Sequence, residues 1–237
     1  MIGGIVVPLE NSVKTPTPIQ VDVGEFTRRY VIMITSAEAR LGKTMAVVAA
    51  TGTVLTFGIW VGLTGIANTG YDATWGALSD CVGFVQSFGF VFAIALGMKL
   101  FGADEKAYFR IVSQIVLVGA VISILNSLSA TANANSVFSQ TFNSSEILAA
   151  SNVGQFGFFV MVGLWTLTVL RADSDGLIPS WGVMAGRGAG WLILFAQATS
   201  LFGLLPQNAV GPLYILGGVL LWPIFVFGIS NAFGKKV

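Results

Sequence analysis

The chain has 237 residues, of which 54% are hydrophobic and only 10% are charged, with a formal net charge of +1. Soluble globular domains carry about 25% charged residues, so this chain has too little charge to solvate a water-exposed surface of its own. The balanced charge without a basic block also argues against a nucleic-acid partner. The composition therefore predicts an all-α membrane protein that does not bind DNA or RNA.

The N-terminal region is predicted to lie outside the membrane. Residues 1–23 contain three prolines among scattered polar residues, a composition typical of an extended tail. Over 25–42, apolar residues recur at intervals of three and four, which predicts a helix with one apolar stripe. Because charged residues occupy its other faces, we expect an amphipathic helix on the inner leaflet; a solvated helix docked on a partner is the alternative. Residues 1–43 would thus form a cytoplasmic region.

Six apolar segments follow, and each suits a hydrocarbon core of about 30 Å, which needs roughly 20 helical residues. The predicted membrane domain covers 44–234, with a short C-terminus at 235–237. Its spans are 45–67, 76–98, 111–128, 148–170, 181–202 and 213–233. Short matches 68–69 residues apart, such as Phe88-Gly89-Phe90 with Phe156-Gly157-Phe158, suggest that the second–third and fourth–fifth hairpins are tandem copies. Chance similarity between apolar helices is the alternative.

The positive charges predict the orientation of these spans. All twelve Lys and Arg residues fall on one side when the chain is threaded alternately through a bilayer. Basic residues near short loops stay cytoplasmic, so we expect both termini in the cytoplasm, in the inner membrane of a prokaryote. The opposite side carries only Asp72, Asp80 and Glu146. It also carries a glycosylation triplet at Asn143, which a bacterial cell would leave unmodified.

Small residues and one proline predict how the helices pack. Glycines at intervals of four occur in the first and fifth spans, at Gly58, Gly62, Gly182, Gly186 and Gly190. Small residues on one helix face let another backbone approach closely, either within the bundle or across a dimer interface. Pro223 lacks a backbone N–H and is expected to kink the sixth helix.

Polar side chains concentrate in the half of the spans that lies away from the basic residues. They are Asp80, Gln86, Ser123, Asn126, Gln155, Gln197 and Ser200. A polar group facing hydrocarbon must find a partner, and several groups converging from four helices predict an internal cavity that opens outward. The alternative is hydrogen bonding that only holds the helices together, at about 0.6 kcal/mol per bond.

Arg187 is the basic residue that lies deepest in a predicted span, about two turns into the fifth. Its long side chain is able to snorkel to the cytoplasmic boundary. Two other hypotheses are a contact to an anionic headgroup or substrate and an ion pair with a carboxylate. The candidate carboxylates are Asp104, Glu105, Asp173 and Asp175.

Several common chemistries are missing from the sequence. Histidine is absent, which removes the usual ligand for haem, zinc and copper and the usual base of serine hydrolases. The single cysteine, Cys81, cannot form an internal disulfide, and we expect it to be a small apolar core residue. We therefore predict no enzymatic activity and no metal or haem cofactor, whereas bound lipid or an apolar pigment is compatible with so apolar a chain.

Short motifs mark the last third of the chain. They are Leu164-Trp165-Thr166-Leu167, Gly176-Leu177-Ile178-Pro179-Ser180-Trp181-Gly182, Leu221-Trp222-Pro223-Ile224 and Phe227-Gly228-Ile229. Over about 154–234 the chain resembles a family of uncharacterised bacterial multi-pass membrane proteins. The resemblance implies a compact helical bundle, and it carries over no catalytic or binding residue because that family has no assigned activity.

Two functional hypotheses follow from this apolar bundle. The first is a non-enzymatic accessory or scaffold subunit of a membrane complex, or a protein that packs lipids and apolar ligands. Its partners would be membrane lipids, other membrane subunits or further copies of the chain. The alternative is an uncoupled channel or carrier for a small neutral solute that uses the outer polar cavity. A coupled carrier is disfavoured because no Asp or Glu lies near the midplane, where such carriers commonly place one.

Overall fold

The described part of the chain is helical and contains no strand. The computed structural model describes residues 34–59, 73–133, 158 and 160–237, with the backbone alone at 73–77, 133 and 207–208. A helix satisfies its backbone hydrogen bonds within one segment, which is what an apolar environment requires. The prediction of an all-α chain is therefore confirmed for these residues.

The helices follow one another with short connections at the described turns. They are α1 (Ser36–Ile59), α2 (Ala73–Leu100), α3 (Ala107–Asn133), α4 (Val160–Ala172), α5 (Ser180–Phe202), α6 (Gln207–Tyr214) and α7 (Trp222–Gly234). A π-helical segment, Ile215–Leu221, joins α6 to α7 without a break. Within the described ranges, four helices are long and apolar enough to cross a membrane, namely Ser36–Ile59, Leu78–Leu100, Ala107–Ala132 and Ala209–Gly234.

The start of α1 differs from the predicted amphipathic helix over 25–42. Thr35 Oγ1 accepts a hydrogen bond from the Glu38 N–H at 3.2 Å, and Glu38 Oε2 accepts one from the Thr35 N–H at 3.0 Å. This reciprocal pair is a capping box, which marks a helix N-terminus. From Ser36, α1 continues past residue 43 without interruption. The C-terminal part of the predicted interfacial helix therefore extends the first long helix, and its earlier part lies outside the described residues.

The helices are arranged in a ring that follows their order in the chain. The ring closes because α7 packs against α1. Neighbouring helices pack together from α1 to α3, and the last helix packs on both α5 and α1. On the other side of the ring, the indole N–H of Trp165 in α4 donates to Ser113 Oγ in α3 at 3.2 Å, and Gly190 brings α5 against α4. The closure is held by Ser230 Oγ, which donates to the carbonyl of Lys43 at 3.1 Å.

One half of the ring is tightly packed, and we call it the packed half. It contains the first parts of α1, α3 and α5, the last parts of α2 and α4, and α7 after Trp222. A Cβ built on Gly186 would lie 2.5 Å from the Phe225 ring, and one on Gly42 would lie 2.5 Å from the Phe233 ring. Both rings are fully buried. Glycine is thus required here because the aromatic side chain of the neighbouring helix occupies the space of a Cβ.

The predicted packing glycines divide into two groups. Gly182, Gly186 and Gly190 lie at helix contacts within the chain; at Gly182 a Cβ would come within 3.1 Å of the Cα of Gly228. Gly58, in contrast, is exposed, and no atom lies within 4 Å of a Cβ built on it. The prediction that Gly58 packs a helix is therefore not met by the described residues, and its predicted companion Gly62 lies outside them.

Pro223 follows the π-helical segment directly. Because proline has no N–H, it cannot donate the hydrogen bond that an α-helix needs four residues earlier, at the carbonyl of Val219. The helix widens just before this point, and the Trp222 N–H donates to the carbonyl of Gly217, five residues back. The irregularity predicted at Pro223 thus takes the form of a π-helical segment between Tyr214 and Trp222.

Cys81 is exposed on α2, which contradicts the expected core position. Val85 and Phe88, which follow it at helical spacing on the same face, are also exposed. In lipid, the outer surface of a helix is as apolar as the interior. An apolar residue type therefore does not indicate burial in such a chain, and this is why the expectation was wrong.

Two hairpin ends in the packed half are held by side-chain hydrogen bonds to the backbone. Lys106 Nζ donates to the carbonyl of Ala172 at 2.6 Å and to that of Phe101 at 3.0 Å, which ties the start of α3 to the end of α4. The Asp173 carboxylate accepts hydrogen bonds from the N–H groups of Leu177 and Ile178, each at 2.8 Å. These charged groups are thus paired at the helix ends.

Candidate functional site

A cavity of about 590 Å³ lies in the other half of the ring, which we call the cavity half. Its walls come from the second halves of α1, α3 and α5, residues 79–90 of α2, the start of α4, and the chain from Tyr214 through the π-helical segment to Trp222. Pockets that bind small molecules measure about 300–1,000 Å³, so the cavity has the size of such a site.

The structure brings most of the predicted polar residues to this cavity. Asp80, Gln86, Ser123, Asn126, Gln197 and Ser200 all line it. Gln155, the remaining member of the predicted set, lies outside the described residues. Gln197 is buried, whereas Asp80 is half-buried and Ser200 is exposed. The cavity therefore runs from a buried interior to an exposed rim.

Several lining residues were missed by sequence reasoning, although a signal for them exists. On α2, Ser79, Gly83, Ser87 and Phe90 all line the cavity. They are spaced by four, four and three residues, which places them on one helix face. The polar set predicted from the sequence includes Ser123 and Ser200 but omits this stripe, because serine and glycine in an apolar helix resemble packing residues.

Part of the polar wall is satisfied by hydrogen bonds between helices. Ser79 Oγ donates to the carbonyl of Thr56 at 3.2 Å, and the hydroxyls of Ser87 and Ser123 lie 3.0 Å apart. These bonds join α2 to α1 and to α3. They agree with the alternative hypothesis that the polar side chains only hold the helices together. They account for the serines but not for the polar atoms deeper in the cavity.

Three buried polar atoms of the described residues have no hydrogen-bond partner in the protein. They are Thr56 Oγ1, Gln197 Oε1 and Trp222 Nε1, and all three residues line this cavity. A buried polar group without a partner costs roughly 1–3 kcal/mol, and most buried polar side-chain atoms in proteins have one. The three residues that carry these atoms therefore meet at one cavity.

An aromatic layer forms the floor of the cavity. Phe90, Phe158 and Trp222 line it. The Phe90 ring lies 5.7 Å from the Phe158 ring and 5.1 Å from that of Trp222, in edge-to-face geometry. Beneath it, Trp165 contacts Phe90 at 5.3 Å and is fully buried. The floor thus separates the cavity from the packed half and offers an apolar surface to whatever occupies it.

The π-helical segment contributes an open position in the cavity wall. Gly218 and Val219 line the cavity, and no atom lies within 4 Å of a Cβ built on Gly218. π-Helical segments are rare and are often found at functional sites. Position 218 therefore has room for a side chain that would extend into the cavity rather than into a neighbouring helix.

The charges around the cavity disfavour an anionic ligand. Asp80 is the charged residue among the described lining residues, and no Lys or Arg belongs to that lining. Arg187 is exposed on α5 in the packed half and forms no ion pair with a described carboxylate. Within 34–59, 73–133, 158 and 160–237, no group of acidic or cysteine side chains has the arrangement of a metal site.

Comparisons of the chain with protein-family models, with curated proteins and with solved structures gave no match. The functional argument therefore depends on the geometry of the cavity.

Proposed function

We propose that this protein is an uncoupled channel or carrier for a small neutral solute, which binds in the cavity. The observation that carries the proposal is the presence of three unpartnered buried polar atoms, on Thr56, Gln197 and Trp222, at one cavity. Amide, hydroxyl and indole groups bind neutral molecules through hydrogen bonds without a coupled ion. Among the described lining residues there is one carboxylate and no basic residue, which supports a neutral solute over an anion.

We further propose six membrane spans, with both termini in the cytoplasm and the cavity on the opposite side. The one-sided distribution of Lys and Arg supports this orientation. The helix α5 contains Arg187 and Gln197 and is not among the four described helices that are long and apolar enough to cross a membrane. Its contacts with α4 and α7 through Gly190 and Gly182 support its place in the bundle, because neighbouring helices shield its polar groups from lipid.

The hypotheses of an accessory subunit and of a lipid-packing protein remain the main competitors. Each assigns a role to the outer surface of the bundle, where exposed apolar side chains such as Val118 and Trp191 lie. Neither explains why polar atoms are left without partners inside it. These hypotheses also predict a different experimental result, because a substitution that blocks the cavity would not affect a role of the outer surface.

The test is a flux measurement on the full chain in liposomes. Osmotic swelling is followed by light scattering with urea, glycerol and 1,2-butanediol as solutes, against protein-free liposomes. Gly218→Leu adds a side chain that extends into the cavity, so we expect it to abolish the protein-dependent swelling. Gly58→Leu is the matched control, because position 58 is equally open but exposed and outside the cavity lining.

A second variant tests the polar wall itself. The double substitution Gln86→Leu with Gln197→Leu removes two amides that line the cavity, and it should lower the flux without blocking the space. Wild-type protein that gives no swelling above protein-free liposomes for any of the three solutes would overturn the proposal. So would a Gly218→Leu variant that transports as fast as wild type.

A further inference from the structure

We infer that Trp222 and Gln197 select the solute: the indole N–H donates to an acceptor atom of the ligand, and the amide oxygen accepts from a donor on it. The apolar body of the ligand would lie on the aromatic floor formed by Phe90, Phe158 and Trp222. This inference rests on the proposed function, because it requires a neutral solute in the cavity. It narrows the ligand to an aromatic or alicyclic amide or alcohol.

The contrast between two indoles supports the role of Trp222. Trp165 and Trp222 both contact Phe90, at 5.3 Å and 5.1 Å, and both are buried. The N–H of Trp165 has a protein partner, Ser113 Oγ at 3.2 Å, whereas that of Trp222 has none among the described residues. A buried indole N–H usually finds a partner. Since Trp222 lines the cavity, its partner is expected on the bound molecule.

Gln197 supplies the complementary group from another wall. Its side chain is only 3% exposed, and Oε1 has no partner in the described protein. An indole N–H is only a donor and an amide oxygen is only an acceptor. A ligand that satisfies both must carry at least one acceptor and one donor. Thr56 Oγ1 on α1 is able to take either role, so it places no further restriction on the ligand.

The rest of the lining determines the body of the ligand. Rings at the floor favour an apolar face, since aromatic groups pair edge-to-face or in offset stacks. A pure hydrocarbon would leave the polar atoms unpaired, and a small polar molecule such as acetamide would leave the floor uncovered. An acid is disfavoured because Asp80 is the charged residue of the described lining. A ligand with an apolar ring and one amide or hydroxyl group meets all of these conditions.

The first experiment uses three matched probes and the indole N–H signals of the full chain, labelled with ¹⁵N in detergent micelles. Benzamide has the ring and the amide, toluene has only the ring, and acetamide has only the amide. We expect benzamide to shift the Trp222 indole signal saturably and at lower concentration than acetamide. Toluene should not produce the downfield shift of a new hydrogen bond. The Trp222 signal is identified by its loss in Trp222→Phe.

The second experiment measures benzamide binding by calorimetry, corrected with protein-free micelles. Trp222→Phe keeps the ring and removes the donor, so the affinity should fall about two- to tenfold, as expected for one hydrogen bond. Gln197→Leu should reduce it to a similar extent. Trp191→Phe is the control, because Trp191 is 66% exposed, and it should bind as wild type does. The thermal midpoint of Trp222→Phe without ligand should be unchanged or higher, which excludes unfolding as the cause.

The outcomes separate this inference from the proposed function. Equal effects of benzamide and toluene on the Trp222 signal, or wild-type affinity in Trp222→Phe, would overturn the inference. Swelling with urea or glycerol in that case would leave the proposed function intact. Binding of benzamide through Trp222 with no flux of any solute would support the inference and overturn the transport role.

Discussion

The packed half and the cavity half are built from largely the same helices, but they place small and polar residues in opposite environments. In the packed half, Gly186 admits the ring of Phe225, and the indole N–H of Trp165 is paired. In the cavity half, Gly218 faces open space, and the indole N–H of Trp222 has no partner among the described residues. The first arrangement stabilises the bundle. The second lowers its stability, unless a bound molecule forms the missing hydrogen bonds.

The difference is visible along a single helix. On α5, Gly182, Gly186 and Gly190 lie at helix contacts in or near the packed half, and two turns after Gly190 the helix presents Gln197 to the cavity. The same bundle therefore contains both a closely packed region and an open site. The packed half holds the helices in place, and this support allows the other half to remain open.

The largest expected effect compares two glycines. Gly186→Leu should lower the free energy of unfolding by about 1–3 kcal/mol, because the added side chain collides with the buried Phe225 ring and overpacks the interior. Gly218→Leu should leave it within about 0.5 kcal/mol, since the new side chain enters open space. Thermal unfolding in detergent measures both. Equal destabilisation by the two substitutions would contradict the division into two halves.

An intermediate effect compares two lysines. Lys106→Met removes an ammonium that donates to two backbone carbonyls in the packed half, and we expect a loss of about 1.5 kcal/mol because hydrogen bonds to charged groups are strong. Lys99→Met removes an ion pair with Glu38 that lies on the surface, where such pairs contribute little. Its effect should be smaller and should decrease in high salt. The two losses of unfolding free energy are compared by chemical denaturation at two salt concentrations.

The smallest effect compares the two indoles. Trp165→Phe leaves Ser113 Oγ without its donor in a buried position, so stability should fall by about 1 kcal/mol. Trp222→Phe removes an N–H that has no protein partner among the described residues and should not lower stability. The shift in thermal midpoint between the two variants is the measurement. A larger loss in Trp222→Phe than in Trp165→Phe would show that the Trp222 N–H is satisfied within the protein.

Much of the candidate site could be predicted from the sequence. Asp80, Gln86 and Gln197 stand out because amides and carboxylates are rare in apolar helices, and each must lie in the interior or find a partner. Trp222 was noted only as part of a short motif, and Phe90 only as part of a repeat. A lining aromatic has the same sequence signature as a core aromatic, so neither could be assigned to a cavity floor in advance.

One wrong prediction has a clear physical origin. Cys81 was expected in the core, yet it is exposed. In an aqueous protein the alternation of polar and apolar residues reveals which face is buried. In lipid both faces are apolar, and this signal is lost. The helix predicted over 25–42 and the first span predicted over 45–67 share one continuous helix, Ser36–Ile59, which begins at the capping box of Thr35.

By itself, the sequence determined that the described part of the chain is helical and apolar, and that polar groups gather away from the basic residues. These properties are local, since hydropathy and charge are read along one segment at a time. Only the tertiary structure decided which glycines meet another helix. It also decided that Thr56, Gln197 and Trp222 line one cavity, each with a buried polar atom that has no hydrogen-bond partner among the described residues. These properties depend on distances between helices, which the composition of a single helix does not specify.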